Sequence, residues 1–468
     1  MAAMAWVGLY GFAWNDYDAE ASAAFGALSR GDLLGFFALA PSYGGSFVLR
    51  APFAGVTAAL GGGELAVYRA VSVPCLLAGA MLGVVLVRRI ADRGGSRGVR
   101  ALVLALCVVN PVTLRMLEMG HPEEMLTATL AIAAVLAGGA RRTLLAAVLL
   151  GFAIATKAWA VLAIGPVLLA LPGARIRTLL ISGAIAAAVM APLLLSGSPA
   201  SLARGAATTG SVISTPFQVF WPLGETGHVI LGNDGQPKPA GWRLPPSWLS
   251  PLTHPLIAFM VVPLSLLFWH RNRDAPPASS EQMLGLLALL FLLRCVLDPW
   301  NVVYYELPFL LALLAWESLR RPDRLPVLSL ALTALVWLTF MKLPSWTSPD
   351  VQCFVFLGWA LPLTGWLARE VFARNVRAGG VADRDVGAAS NQGKPSATGC
   401  RVGAPQQRAG RVTTQRKCGV SRACSTAGSV AADVPGAVLG RERRRPALGP
   451  CAPHEVAAGR RHEQRRQL

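Results

Sequence analysis

The sequence predicts an all-α, polytopic membrane helical bundle of about 12 spans, with large outer loops and a disordered C-terminal tail. Three observations predict it. Of 468 residues, 54% are hydrophobic and only 15% are charged, with a mean hydropathy of +0.49, far more apolar material than the core of a water-soluble domain needs. Apolar stretches able to cross a hydrocarbon core of about 30 Å recur along the chain and stop near Arg369. Between many of them lie short clusters of Lys and Arg, the signature of cytoplasmic loops.

The elements follow in order from those clusters. They are Arg88/Arg89 through Arg100, Arg141/Arg142, Arg175/Arg177, Arg271/Arg273, Arg320/Arg321/Arg324 and Arg369/Arg374/Arg377. With all six inside, the predicted spans lie near 1–14, 65–87, 101–117, 125–140, 143–156, 158–172, 178–195, 254–270, 281–297, 303–317, 325–341 and 351–368, and both ends are cytoplasmic. The first span, and the two beside Lys157, offer fewer than the ~20 apolar residues of a perpendicular helix. The first reads as the end of a clipped helix, and the pair as one long tilted helix or a broken pair. Cys75, Cys107, Cys295 and Cys353 sit singly in apolar segments and read as packing.

Charge divides the chain in two. Residues 375–468 hold 17 Lys and Arg against six Asp and Glu, whereas residues 1–374, the membrane domain, hold 26 against 19. The tail is rich in Gly, Ala, Ser and Arg and has no apolar periodicity, so it reads as a basic low-complexity segment, disordered and cytoplasmic. Its run Arg441, Arg443, Arg444 and Arg445 is a solvated charge run beside membrane lipids and predicts no nucleic-acid partner.

With sidedness taken from arginine alone, the remaining polar motifs converge on the outer side. The first outer loop opens Asn15-Asp16-Tyr17-Asp18-Ala19-Glu20, the second contains Glu118-Met119-Gly120-His121-Pro122-Glu123-Glu124, Lys157 marks a third turn and Asp298-Pro299-Trp300-Asn301 another. Ionisable groups at the edge of a bundle are costly unless solvated or paired, so this convergence predicts a polar cavity. Within the first loop, Ala21–Leu28, Asp32–Ala40 and Phe53–Leu60 are short apolar pieces suited to the interface, joined by a turn at Ser42-Tyr43-Gly44-Gly45-Ser46. A second outer segment, about 196–252, mixes Pro216, Trp221, Pro222, Trp242, Pro245, Pro246 and Trp248, which suits a lid with aromatic sugar or lipid contacts or an interfacial Trp anchor.

Over residues 1–370 these motifs resemble the C-type membrane glycosyltransferases that use polyprenyl-phosphate sugars, mannosyltransferases among them. The resemblance rests on Asp16-Tyr17-Asp18-Ala19-Glu20, on Asn110-Pro111 leading to Gly120-His121-Pro122-Glu123-Glu124, on Ala155-Thr156-Lys157-Ala158-Trp159, and on Asp298-Pro299-Trp300 with Tyr304-Tyr305. It implies transfer of a sugar, mannose first and arabinose next, from a lipid-linked donor to a glycan or glycolipid acceptor at the outer face. It also implies an acidic general base in the first outer loop. Asp16 is the first choice and Asp18 the runner-up, with Glu20 nearby; as a bland alternative, Asp16 caps a helix. The leaving phosphate calls for cations or hydrogen-bond donors, for which Lys157, Arg115 and His121 are candidates, with Arg50, Arg69 and Arg294 unranked. Glu123, Glu124, Asp298 and Tyr304 complete the candidate substrate site. His121, Glu123 and Glu124 have metal-ligand chemistry, but Pro122 also fits the start of a helix whose first turn favours the two glutamates. A lipid monophosphate donor calls for no metal or other cofactor. The rival reading, from another class, is a multi-span transporter or lipid flippase.

Overall fold

The computed structural model describes residues 15–41, 44–196, 215–228, 241–273 and 278–373. The predicted first span at 1–14 and the tail at 375–468 lie outside the described residues. Among those described, regular structure is helical, apart from a single bridge between Glu225 and Leu244. The chain enters as a helical run, Asn15–Tyr17, passes a π-helical turn, Asp18–Ser22, and continues as α1, Ala23–Ser29. The predicted interfacial pieces become α1, α2 (Leu33–Leu39) and α3 (Gly45–Ala59). Then follow α4 (Glu64–Asp92), α5 (Arg97–Val108), α6 (Pro111–Met119), α7 (Glu123–Gly139), α8 (Thr143–Thr156), α9 (Ile164–Ala170) and α10 (Arg175–Ser196). The second half holds α11 (Leu249–Phe259), α12 (Val261–Arg271), α13 (Ser280–Leu297), α14 (Leu307–Arg320), α15 (Val327–Trp337) and α16 (Pro349–Phe372).

Helices stand at eleven of the twelve predicted places, but only seven described segments are long and apolar enough to cross a membrane: Glu64–Asp92, Arg97–Met119, Arg175–Ser196, Pro251–Arg271, Ser280–Leu297, Val327–Ser345 and Pro349–Phe372. The expected count of about twelve is therefore not borne out: seven candidate spans stand among the described residues. The others are shorter: α7 has 17 residues and α8 has 14, while α14, with 14, and α9, with seven, are each extended at the N-terminal side by a 3₁₀ turn, Val303–Glu306 and Ala158–Ala163. At 1.5 Å per residue, 14 residues rise only about 21 Å. α7 and α14 are apolar all round because protein, not lipid, surrounds them: Met125, Ala128, Ile132 and Val135 of α7 and Leu307 to Ala315 of α14 are buried, and α7 packs on α4, α8, α13 and α14. Peripheral helices instead expose large apolar side chains, such as Leu180 and Leu195 of α10 and Phe354 of α16, a surface that belongs in lipid.

One end of this bundle is an arginine end. Arg89 donates to Leu136 O at 3.4 Å, Arg93 to Leu319 O at 2.6 Å, Arg271 to Phe372 O at 3.2 Å, and Arg141 to Ala170 O. These carbonyls close the C-termini of α7, α14, α16 and α9, where cations favourably meet the negative helix ends. Arg93 also pairs with Glu281, and Arg320 with Glu370 at 2.6 Å, so the arginines clamp neighbouring helices together. The four membrane-domain cysteines are free and buried.

Candidate functional site

The opposite end is built around two turns. Asn110 caps α6, its Oδ1 accepting from Val112 N at 2.9 Å, and Pro111 follows at the first helical position, where its missing N–H is harmless. α6 ends at Gly120, whose φ of +90° favours glycine. A Cβ there would stand 2.6 Å from Tyr17 N, so this glycine also lets the Asn15–Tyr17 backbone lie against the turn. Tyr17 meets the edge of Tyr68 at 4.7 Å, and the Tyr68 hydroxyl donates to Leu117 O, fixing the same corner from α4. The second turn is the break between α8 and the 3₁₀ segment Ala158–Ala163, at which Lys157 is extended (φ −148°, ψ 134°). Of the two readings of this region, the broken pair is the one observed.

These turns bring the distant motifs into one cluster. His121 Nε2 lies 3.1 Å from Asp16 Oδ2, and its Nδ1 lies 2.9 Å from Glu123 Oε1. Lys157 Nζ is 3.1 Å from Glu123 Oε1 and 3.6 Å from Glu124 Oε1, while Arg50 Nη2 is 3.3 Å from Glu123 Oε2. Tyr304 stacks on the His121 ring with centroids 4.5 Å apart. Glu20 is near enough for its charge to act on Lys157 and Tyr304. Alternating signs keep each buried charge paired, which low-dielectric surroundings require. Burial works against an imidazolium at His121, but its hydrogen bonds to Asp16 and Glu123 outweigh that and lift its pKa to about 9. The Glu123 and Glu124 side chains are 5% and 1% exposed, Lys157 13% and Asp16 23%, so Asp16 is more open to an incoming molecule than either glutamate of α7.

Not every predicted residue joins the cluster. Arg115 pairs with Glu118 at 2.8 Å on a half-exposed face of α6, a local i, i+3 pair. Asp298 accepts from Trp300 N at 3.0 Å and lies 3.8 Å from His254 Nε2, holding its own turn. The side chain of Asp18 lies outside the described residues. Asp16 does not cap a helix but lies within one, and Glu123 and Glu124 occupy the first turn of α7 with Pro122 at its N-cap rather than at the first helical position. Ser42 and Tyr43 lie outside the described residues; Gly45 opens α3, where a Cβ would fall 2.0 Å from Ala155 O, so the close approach served by this glycine is to α8 and not to a ligand. In the second outer segment, Trp221 Nε1 donates to Asp350 Oδ1 at 2.7 Å and Arg243 contacts both Asp350 oxygens at 3.0 Å, pinning that segment to α16.

Two residues left unranked by the sequence stand out. Arg50, alone among apolar neighbours in α3, is buried beneath Phe25 and Phe47 and bound to Glu123. Its isolation in an apolar run was the available signal. Arg294 is 4% exposed, lies over Trp159 (4.8 Å) and Tyr305 (4.2 Å), and donates to Tyr305 O at 3.4 Å. No ion pair between described residues includes it.

Comparison with known proteins adds one match. Residues 39–173 match the family model described as Alpha-(1->6)-mannopyranosyltransferase, N-terminal domain. That stretch carries Arg50, His121, Glu123, Glu124 and Lys157, and both turns of the site. No curated protein and no solved structure matches the chain. The resemblance to membrane mannosyltransferases, first read from the motifs, is thereby borne out over residues 39–173 by the alpha-(1->6)-mannopyranosyltransferase family.

Proposed function

We propose that this chain is a mannosyltransferase that moves mannose from a polyprenyl-phosphate carrier to a glycan or glycolipid acceptor at the outer face of the membrane, with Asp16 as general base. The observation that carries the reading is Asp16 itself: a partly open carboxylate backed by a buried charge cluster, at the end of the bundle away from the arginines. In the reaction, Asp16 takes the proton of the acceptor hydroxyl as its oxygen bonds to the anomeric carbon. The bond from that carbon to the phosphate oxygen breaks, and polyprenyl phosphate leaves with the electron pair.

Charge accounting ranks the phosphate contacts. Lys157 already faces two glutamates, both His121 nitrogens face carboxylates and Arg115 is held by Glu118, which leaves Arg294 as the buried cation best able to accept a phosphate as its counter-ion. Since the donor has a single phosphate and the cluster supplies its own cations, turnover requires no metal and is expected to persist in EDTA.

The test is transfer of radiolabelled mannose from polyprenyl-phosphate-mannose in membranes containing this chain, beside Asp16→Asn and empty membranes. Product that requires both the chain and Asp16 is expected. A well-folded chain that transfers nothing from mannose or arabinose carriers to several acceptors overturns the assignment, in favour of transport.

A further inference from the structure

Resting on the assignment of Asp16 as base, we propose that His121 is the positioning residue of that base: it holds Asp16 Oδ2 through Nε2, is itself oriented by Glu123 through Nδ1, and so leaves Asp16 Oδ1 to the acceptor hydroxyl. The geometry is a three-member chain. Asp16 Oδ2 to His121 Nε2 is 3.1 Å, and His121 Nδ1 to Glu123 Oε1 is 2.9 Å. Each ring nitrogen therefore serves a different carboxylate, one partly open and one buried. Glu123 is an orienting group with little freedom, because Arg50 Nη2 and Lys157 Nζ hold its two oxygens at 3.3 and 3.1 Å. Tyr304 stacks on the ring at 4.5 Å and removes the remaining freedom, rotation out of the plane.

Asp16 needs such a support. It lies where the run Asn15–Tyr17 passes into a π-helical turn, and its side chain is 23% exposed, so the packing of its own helix leaves it partly open. His121, by contrast, sits on the corner between α6 and α7, locked by Gly120 and by the buried Glu123. A buried side chain, held on both sides, thus aims a partly open one. This replaces direct phosphate binding as the role of His121: with both nitrogens given to carboxylates, it has no donor left for the lipid phosphate.

Two near-isosteres separate the roles. The amide nitrogen of Gln superimposes on His Nε2 and keeps the contact to Asp16, whereas that of Asn superimposes on Nδ1 and keeps only the contact to Glu123. His121→Gln is expected to retain kcat within several-fold of the parent. His121→Asn is expected to lose about 100-fold, the size of a mispositioned general base, with the KM for polyprenyl-phosphate-mannose unchanged. Thermal melting in detergent checks that both variants fold alike. Equal losses in the two variants, or a rise in donor KM as the main effect, overturn the positioning role and return His121 to the phosphate. Asp16→Asn with parental turnover overturns the base assignment itself, a result distinct from either.

Discussion

At the scale of single residues, the site is governed by one anion. Glu123 is the common partner of His121, Arg50 and Lys157, and it is buried. Glu123→Gln keeps the shape but leaves the buried cations short of their counter-charge, and it is expected to destabilise the fold by about 3–5 kcal/mol, read as a lowered melting temperature. His121 gives the cluster a pH dependence of known sign. Its pKa is raised from 6.5 to about 9, so its contribution to stability is fully present below pH 6.5 and is lost as pH rises through about 9. Melting followed across that window is expected to fall in the parent and to be flatter in His121→Gln; an unchanged slope would remove His121 as its source. Arg294 makes a kinetic prediction instead. Arg294→Lys keeps the charge but not the planar group between Trp159 and Tyr305, and Arg294→Ala removes both, so donor KM is expected to rise in the order parent, Lys, Ala. Equal KM values across the three would exclude Arg294 from the donor site.

At the scale of elements, two glycines decide whether helices meet. Gly45 admits α3 onto the α8 backbone, and Gly120 admits the Asn15–Tyr17 run onto the corner between α6 and α7. Ala at either position forces backbone apart, and at Gly120 it also meets an unfavourable φ, so each is expected to lower stability by about 1–3 kcal/mol. Because each contact carries a site residue, Arg50 on α3 or Asp16 on the entering run, mannosyl transfer is expected to fall more than stability alone explains. Activity of Gly120→Ala that merely tracks its melting temperature would break this link. The sequence made the positions of these helices legible through their apolar runs and arginine ends. It could not reveal their role. Apolar character is the same whether a helix faces lipid or protein, so an apolar run alone does not tell enclosed helices such as α7 and α14 from lipid-facing ones. The site was legible in part for a related reason. Asp16, His121, Glu123 and Lys157 were visible as polar residues at helix ends, but the pairing of Arg115 with Glu118, and of Glu123 with Arg50 73 positions away, is set by packing that no local pattern records.

At the scale of the whole molecule, the two ends of the bundle differ in chemistry, and the difference predicts how it sits in the membrane. Cations close helix C-termini at one end, and the site cluster occupies the other. If the arginine end is cytoplasmic, the side on which positive charge is expected, the site opens outward. Ser345, exposed in the turn between α15 and α16, marks the site end; Asp323, exposed in the turn between α14 and α15, marks the arginine end. The buried Cys75, Cys107, Cys295 and Cys353 contribute little background reactivity, so replacing Cys400, Cys418, Cys424 and Cys451 by Ser gives a suitable parent. On intact cells, a membrane-impermeant maleimide is expected to label Ser345→Cys and to reach Asp323→Cys only after permeabilisation. The reverse pattern would place Asp16 and its cluster on the cytoplasmic side. A donor presented at the outer face would then be out of reach, and the acceptor would have to be sought among cytoplasmic glycans, however well Asp16 serves as a base.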